Sequence, residues 1–337
     1  MELIWRSRLA CVAGVVAASL VLANCQSERA KPDARVDGTA AAGRISTIFA
    51  IGTAASAESL YLVRVDRRSA GDAASALCDS TGIYVAHNGS MSAVTTTDQR
   101  LCDLLWSGHA VSLRQDGTTL ALADVFDSSR VTLVTFARGK LDFKKLDCLA
   151  LAPMPAWSPD GRHLAMGGAC AGHDPSPSLI VLGDGYALEH RVHLRAGVDR
   201  WGSLTWSPNA RQLAYAVRGA SADSIIVVDL ESGRDRAVAM GSEPSWSPTG
   251  QWIAYVRRSR DKPLEPEIRL FSPAGARDSL LLGGGAMAMT TDSGGFIASS
   301  PVLWSRDGRT VFVSTLTCIE AIDIGTRHRT PSVCLTR

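Results

Sequence analysis

The sequence predicts an all-β protein, a β-propeller built from four-stranded antiparallel units, and three observations predict it. A five-residue turn motif recurs along the chain, and an apolar run follows each copy after two further residues. A second apolar run comes about twenty residues after each turn. Recurrence at such a spacing indicates a repeat array, in which each unit buries its faces against its neighbours.

The turn motif reads Trp-Ser-Pro-Asp-Gly in its clearest copy, at residues 157–161. Related copies occupy residues 206–210, 246–250 and 304–308, and a copy without Trp occupies residues 113–117. Pro presets φ at its turn position, Asp or Asn bonds the nearby backbone, and Gly adopts the left-handed geometry that returns the chain. The motif therefore predicts a hairpin corner, and its Trp supplies a large surface for a small sheet to bury.

The apolar runs after each turn predict the second and third strands of each unit. They are short and rich in β-branched and aromatic residues, which is typical of strands. Several of the later runs end in Asp and Gly, as at residues 229–233 and 323–325, and this predicts a tight reversal into a fourth, outer strand. Four antiparallel strands per unit, with the sheet edges protected by radial repetition, describe propeller blades.

The number of blades follows from the turns and from the segment that precedes them. Five turns account for five blades, and four apolar runs upstream, at residues 45–51, 60–66, 83–86 and 92–96, supply the strands of one more. We therefore favour six blades. Seven remains the alternative, because the second and third of these runs could belong to different blades.

The runs at residues 157–165 and 206–215, Trp-Ser-Pro-Asp-Gly-Arg-His-Leu-Ala and Trp-Ser-Pro-Asn-Ala-Arg-Gln-Leu-Ala-Tyr, resemble the TolB-like propeller repeat of bacterial envelope proteins. The resemblance extends over residues 45–337. It implies a propeller and no catalytic residue. Residues 26–44 leave no space for the N-terminal α/β domain that the namesake of this family also carries.

The N-terminal residues 1–24 predict a secretion signal. Arg6 and Arg8 precede an apolar stretch at residues 9–23, which is shorter than the roughly 20 residues of a membrane span. The sequence Leu-Ala-Asn-Cys that ends at Cys25 resembles a bacterial lipobox, in which the Cys is lipidated and becomes the mature N-terminus. An ordinary signal peptide is the alternative.

Three segments follow from this interpretation: the signal peptide, a lipidated Cys and flexible tether at residues 25–44, and the propeller domain at residues 45–337. The tether is polar and poor in apolar residues, so it cannot bury enough surface to order itself. The expected location is the periplasmic side of the cell envelope, anchored to a membrane, with the outer membrane favoured over the inner one.

Six cysteines follow the lipobox, an even number in a chain expected to be exported. Their spacing predicts three disulfides between sequence neighbours: Cys78 with Cys102, Cys148 with Cys170, and Cys318 with Cys334. The third would join two strands of the final blade. No Cys-x-x-Cys pair is present, which disfavours a zinc site.

Sequence motifs for catalysis, metals and cofactors are missing. The chain has no Gly-x-Ser-x-Gly nucleophile elbow, no Asp-rich calcium loop and no Gly-rich phosphate loop before a helix. We therefore expect no enzyme activity, no metal and no cofactor. The formal net charge of +2 also argues against a nucleic-acid partner, which usually requires a concentrated basic face.

Insertions into the repeat predict a partner-binding face. In a four-stranded antiparallel blade, the loop after the second strand and the loop after the fourth strand emerge on the same side, and insertions occur there at residues 168–178, 257–266 and 283–301. Long loops on a rigid scaffold often carry recognition. The predicted partner-binding residues are His173, Asp174, Arg257, Arg258, Arg260, Lys262, Met287, Met289 and Phe296.

These observations predict a non-catalytic binding or scaffold propeller at the bacterial envelope, with an envelope protein as its partner and a lipid anchor at Cys25. The alternative is a propeller-type hydrolase or lyase acting on carbohydrate or peptide at the axial mouth. That alternative requires acid-base groups to converge on the channel. Its candidates, placed in loops after second strands, are His87, Asp124, Asp127, His173 and Asp223.

Overall fold

The structure is a computed structural model of the 337-residue chain. The described residues are 44–53, 59–68, 77–87, 90–95, 98, 100–101, 104, 110–123, 130–137, 140–150, 155–170, 178–194, 203–219, 222–258, 266–283, 302–314 and 318–334. They form 24 β-strands and one turn of 3-10 helix at Asp184–Tyr186, and Arg100, Leu101 and Leu104 are helical. The predicted signal peptide, the lipidation site Cys25 and nearly all of the tether lie outside the described residues.

Consecutive strands group into six four-stranded blades. The strands of blade 1 are β1 (Arg44–Thr53), β2 (Ser59–Arg68), β3 (Leu77–His87) and β4 (Ser90–Ala93). The strands of blade 2 are β5 (Ala110–Leu113), β6 (Thr119–Ala123), β7 (Arg130–Ala137) and β8 (Lys140–Ala150). The strands of blade 3 are β9 (Ala156–Trp157), β10 (Leu164–Cys170), β11 (Ser178–Leu182) and β12 (Leu188–His193).

The second half of the chain repeats this order. The strands of blade 4 are β13 (Thr205–Trp206), β14 (Gln212–Val217), β15 (Ser224–Asp229) and β16 (Asp235–Met240). The strands of blade 5 are β17 (Ser242–Trp246), β18 (Ile253–Arg257), β19 (Glu267–Ser272) and β20 (Arg277–Leu282). The strands of blade 6 are β21 (Val302–Trp304), β22 (Thr310–Ser314), β23 (Cys318–Asp323) and β24 (Arg329–Cys334).

Within each blade the strands pair antiparallel in chain order, from an inner first strand to an outer fourth strand, and the end of β8 also pairs with β10, which joins blades 2 and 3 into one eight-stranded sheet. Strand β2 pairs with β3 along its length. The runs at residues 60–66 and 83–86 therefore belong to one blade, and the alternative of seven blades, which required them to lie in different blades, is removed. The predicted fold, a propeller of four-stranded antiparallel blades, is therefore confirmed, and the described strands make six blades.

The six blades form a closed ring. Each first strand contacts the next one: β1 with β5, β5 with β9, β9 with β13, β13 with β17, β17 with β21, and β21 with β1. Six clusters of buried side chains lie between neighbouring blades, one at each interface. The core of this protein therefore consists of the interfaces between its sheets, as expected for a radial repeat.

Alternation along each strand divides its side chains between two interfaces, because successive residues of a strand point to opposite faces. In β14, Leu213 and Tyr215 pack against blade 3, whereas Ala214 packs against blade 5. All three side chains are at most 1% exposed. This explains why the runs after the turns are almost continuously apolar.

The ring closes between blade 1 and blade 6 by side-chain packing, because every blade consists of consecutive strands. Ile48 and Leu62 of blade 1 pack in one cluster with Phe312 and Ile319 of blade 6. The backbone N–H of Ala50 donates a hydrogen bond to Oγ of Ser314, 3.3 Å away and 264 residues later in the chain. Within the described part of the chain, no helix has the length and apolar character needed to cross a membrane.

Candidate binding site at the axial channel

The repeated turns connect the first and second strands of the blades, and their serine hydroxyls organise them. The Ser158 hydroxyl donates to Asp160 and accepts the backbone N–H of His163, which begins the approach to the second strand, at 2.9 Å. Ser207 makes the same two bonds, to Asn209 and from Gln212, and the Ser305 hydroxyl accepts the N–H of Thr310. Each such serine is at most 3% exposed, and its polar atom is satisfied within the turn.

The turn carboxylates accept hydrogen bonds from the residues around them, as predicted. Oδ1 of Asp307 accepts the Ser305 hydroxyl at 2.6 Å and the backbone N–H of Arg309 at 3.0 Å, and these bonds hold the pKa of Asp307 below its ordinary value. Burial acts to raise the pKa of Asp160, but bonds from Ser158 and Arg162 outweigh it and lower the pKa overall. These carboxylates are therefore ionised structural acceptors.

The tryptophan that precedes each complete turn lies between two blades. Trp157, Trp206, Trp246 and Trp304 are 6–9% exposed, and each belongs to the buried cluster it forms with the preceding blade. Nε1 of Trp206 donates to the carbonyl of Ala156, and Nε1 of Trp304 donates to the carbonyl of Ser245, each at 3.0 Å. The four indoles thus occupy equivalent positions, as the repeat predicts.

The first strands and their turns enclose a cavity of about 510 Å³ on the ring axis. All six blades contribute to its lining, which includes the four indoles just described and five proline rings. Hydroxyl groups of Ser112, Thr205 and Ser245 add polar atoms. The charged side chains among its described lining residues are Arg114 and Arg306, and that described lining includes no carboxylate, imidazole or thiol.

These two arginines, the rim arginines, lie at the mouth of the cavity on the side of the repeated turns. Both also line a more open depression of about 490 Å³ outside the mouth, together with Gln115, Asp116 and Asp160. Nη2 of Arg306 donates to the backbone carbonyl of Gln115 at 3.4 Å, although 191 residues separate them. A side chain of blade 6 thus reaches blade 2 across the mouth.

Arg114 is held in place by its own turn. Its Nε and Nη2 bond the carboxylate of Asp116, its Nη2 also donates to the Thr118 hydroxyl at 2.8 Å, and its guanidinium lies 5.6 Å from the ring centre of Trp157. Cation–π stacking and a paired carboxylate fix the guanidinium plane. Nη1 has no hydrogen-bond partner among the described residues, and it remains available to a ligand.

Two of the three predicted disulfides are confirmed. Cys148 bonds Cys170 and Cys318 bonds Cys334, and the residues of each pair lie directly opposite each other on neighbouring strands. The first bond joins β8 of blade 2 to β10 of blade 3, and the second joins β23 to β24 in the last blade. The Cys78 side chain and all of Cys102 lie outside the described residues.

Of the predicted partner-binding residues, the structure describes Arg257 and Arg258, both exposed at the end of β18. Arg258 donates to the Ser242 hydroxyl at 3.3 Å and lies 3.9 Å from the Glu243 carboxylate, and both of these residues begin the neighbouring strand β17. The other predicted positions, His173, Asp174, Arg260, Lys262, Met287, Met289 and Phe296, lie outside the described residues.

The acid-base candidates of the alternative function are not all where the sequence interpretation placed them. His87 ends β3, the third strand of its blade, whereas Asp223 lies in the loop after the second strand of blade 4. Because strand direction alternates, these positions emerge on opposite sides of the ring. Asp124, Asp127 and His173 lie outside the described residues. Groups of three or more potential metal-ligating side chains do not occur among the described residues.

The rim arginines lie outside the insertions that the sequence analysis selects as the partner-binding face. In the sequence they are visible as departures from the turn motif: Arg114 replaces the turn serine, and Arg306 replaces the turn proline. Each substitution places a cation at the channel mouth. A comparison of the five turns position by position identifies both residues.

Comparisons with known proteins show the fold alone. No protein-family model and no curated protein matches this chain. Solved structures with a similar fold include TolB from Acinetobacter baumannii, at a TM-score of 0.54 and 14% identity over 74% of this chain and 58% of that one. An oligogalacturonate lyase in complex with manganese has a TM-score of 0.51 and 9% identity, over 86% of this chain and 78% of that one. The chain thus spans less than two thirds of the TolB structure, and the likeness is one of β-propeller architecture.

Proposed function

We propose that this protein is an exported, non-catalytic binding propeller of the bacterial cell envelope. The axial cavity carries this proposal. The charged side chains in its described lining are two arginines, Arg114 and Arg306. General acid-base chemistry requires a group that exchanges a proton near physiological pH, and arginine stays protonated. A cavity with rigid aromatic and proline walls and fixed cations is suited to binding.

Export is supported by the two disulfides, because such bonds form and persist in oxidising compartments. The lipobox-like sequence at Cys25 supports a lipid anchor at the periplasmic side, with the outer membrane as the favoured location. Metabolic labelling with an alkyne fatty acid should mark the wild-type protein, and Cys25→Ser should abolish the label. An unlabelled wild-type protein would remove the anchor from the proposal.

The proposed partner is an envelope protein that docks on the loop side of the ring, where Arg257 and Arg258 are exposed. Exposed cations provide charge complementarity for an acidic partner surface. The loops with Met287, Met289 and Phe296 would add flexible apolar contacts.

Capture from envelope extracts tests this surface. The full chain, the Arg257→Ala/Arg258→Ala variant and an Arg236→Ala control are compared, since Arg236 is an exposed arginine on the outer strand β16. The proposal predicts that the wild type and the control recover the same partner and that the double variant loses it. Recovery of an identical set by all three proteins would contradict the assignment.

A further inference from the structure

We propose that the axial cavity binds a small carboxylate with an apolar body, whose carboxylate lies between Arg114 and Arg306 at the turn-side mouth. The inference rests on the proposed binding function and adds the chemical class of a ligand. It concerns the side of the ring opposite to the loops that carry Arg257 and Arg258.

The charged groups divide between the cavity and the depression outside its mouth. The described lining of the cavity includes two cations, Arg114 and Arg306, and no anion, whereas the carboxylates of Asp116 and Asp160 line the depression outside the mouth. Arg114 is half-buried and Arg306 is exposed, and both guanidinium groups can bind a carboxylate through charge-assisted hydrogen bonds, which are stronger than bonds to neutral acceptors. Asp116 pairs with Arg114 outside the cavity and leaves Arg306 without a carboxylate partner among the described residues.

Arg306 makes a long hydrogen bond at the mouth. Its described hydrogen bond is a 3.4 Å contact with the neutral backbone carbonyl of Gln115, at an exposed position. A carboxylate that enters the mouth offers a stronger acceptor to the same guanidinium. Arg306 can therefore exchange Gln115 for a ligand, while Arg114, fixed over Trp157, also lines the mouth of the cavity.

The two arginines also depart from the repeated turn motif. At the position of Arg114 the other four turns have a serine that completes the turn, and at the position of Arg306 three of the other four turns have a proline that presets it, while the turn at residues 113–117 has Gln115. Arg114 gives up the buried serine hydroxyl of that position, and Arg306 gives up the preset φ of proline. Arg114 bonds Asp116 and Thr118 within its own turn, and both arginines also place a guanidinium at the cavity mouth, where an anion can be bound.

The walls behind the mouth determine the rest of the ligand. Indole and proline rings supply apolar surface beside the hydroxyl groups in a cavity of about 510 Å³, which is large enough for a medium-chain or aromatic body. Four of the eight tryptophans of the chain line this cavity, so ligand entry should change the intrinsic fluorescence.

Titration of the full chain with octanoate and with its uncharged analogue octanamide, followed by tryptophan fluorescence, tests the inference at neutral pH. Octanoate should bind saturably and at least about tenfold more tightly than octanamide, a ratio set by the charge-assisted bonds. Arg306→Gln and Arg114→Gln should each weaken octanoate binding by about tenfold or more and leave octanamide binding unchanged. Arg309→Gln, an exposed arginine of the same turn as Arg306 that is not among the cavity-lining residues, should bind like the wild type.

Equal affinities for octanoate and octanamide would overturn the anion inference while leaving a binding cavity in place. Absence of saturable octanoate binding would also overturn it, and the partner capture at Arg257 and Arg258 would then still test the proposed function. The comparison of the two ligands on the wild-type protein needs no variant, so a folding defect in Arg114→Gln leaves the test intact.

Discussion

At the scale of the residue, the sequence predicts only some of the contacts that stabilise the turn motif. Pro, Asp and Gly have their expected roles in the turn, and Gly161 has φ of 71° as a left-handed turn requires. The serine carries the bond from the turn to the second strand, and this role has no local signal because a surface serine looks the same in sequence. Burial of the hydroxyl becomes visible only when neighbouring blades cover the turn.

The tryptophans provide a matched pair for testing the indole hydrogen bond. Nε1 of Trp304 donates to the Ser245 carbonyl, whereas Nε1 of Trp246 is buried and has no hydrogen-bond partner among the described residues. Both changes to Phe remove similar volume, but only Trp304→Phe leaves a carbonyl without its donor. We expect Trp304→Phe to lower the free energy of unfolding by about 1 kcal/mol more than Trp246→Phe does. Urea unfolding measures both values, and an equal or larger loss for Trp246→Phe would contradict the assignment.

The turn carboxylate Asp307 predicts a pH dependence of stability. Its pKa is lower in the folded protein than the ordinary value of 3.8, so its stabilising contribution is complete above that value and is lost as the pH falls through the folded pKa. Asn209 makes the equivalent bonds in blade 4 without a charge, so Asp307→Asn should keep the turn and remove this titration. Thermal melts from about pH 6 to about pH 3 should therefore show a smaller loss of Tm for the variant than for the wild type. Parallel losses in the two proteins would show that Asp307 contributes no pH dependence.

At the scale of the element, strands were predictable because each carries its own apolar run and is bounded by turn residues. The third strands begin and end within a few residues of the predicted runs, as β15 (Ser224–Asp229) shows for the run at residues 225–230. The pairing of the end of β8 with β10 was not predictable. Residues 140–150 form one continuous strand that pairs with β7, and its end gains β10 as a second neighbour, which depends on the position of the next blade.

The disulfide between Cys318 and Cys334 joins two strands, the third and fourth strands of the blade that closes the ring. Their chain neighbours Ile319 and Val333 belong to the closing cluster. The bond closes a loop with a sequence separation of 16 residues, for which chain entropy gives about 3 kcal/mol.

The Cys318→Ser/Cys334→Ser variant should thus lose about 3 kcal/mol of unfolding free energy. Denaturant melts under oxidising conditions measure this loss, and melts with reductant provide the control, since reduction should narrow the difference between wild type and variant. Identical oxidised melts of the two proteins would contradict a stabilising bond at this position.

At the scale of the whole molecule, the sequence predicted the ring but not the chemistry of its axis. Equivalent turns imply equivalent blades, and blades that bury both of their faces against neighbours imply a closed ring. The contact between Arg306 and Gln115 depends on the diameter of the ring and on which turns face each other, and no local pattern contains this information. In the sequence, the rim arginines are indicated only by the two turns that depart from the motif, at Arg114 and at Arg306.

The cavity, the position of its rim arginines and the proposed binding function all depend on closure of the ring between the first and last blades. The Ala50→Cys/Ser314→Cys variant tests it directly, because the backbone N–H of Ala50 and Oγ of Ser314 are 3.3 Å apart. After mild oxidation, a non-reduced digest analysed by mass spectrometry should contain a disulfide-linked peptide pair joining the two positions, and each single variant should lack it. Free thiols at both positions in the folded, oxidised double variant would contradict the closed six-bladed ring.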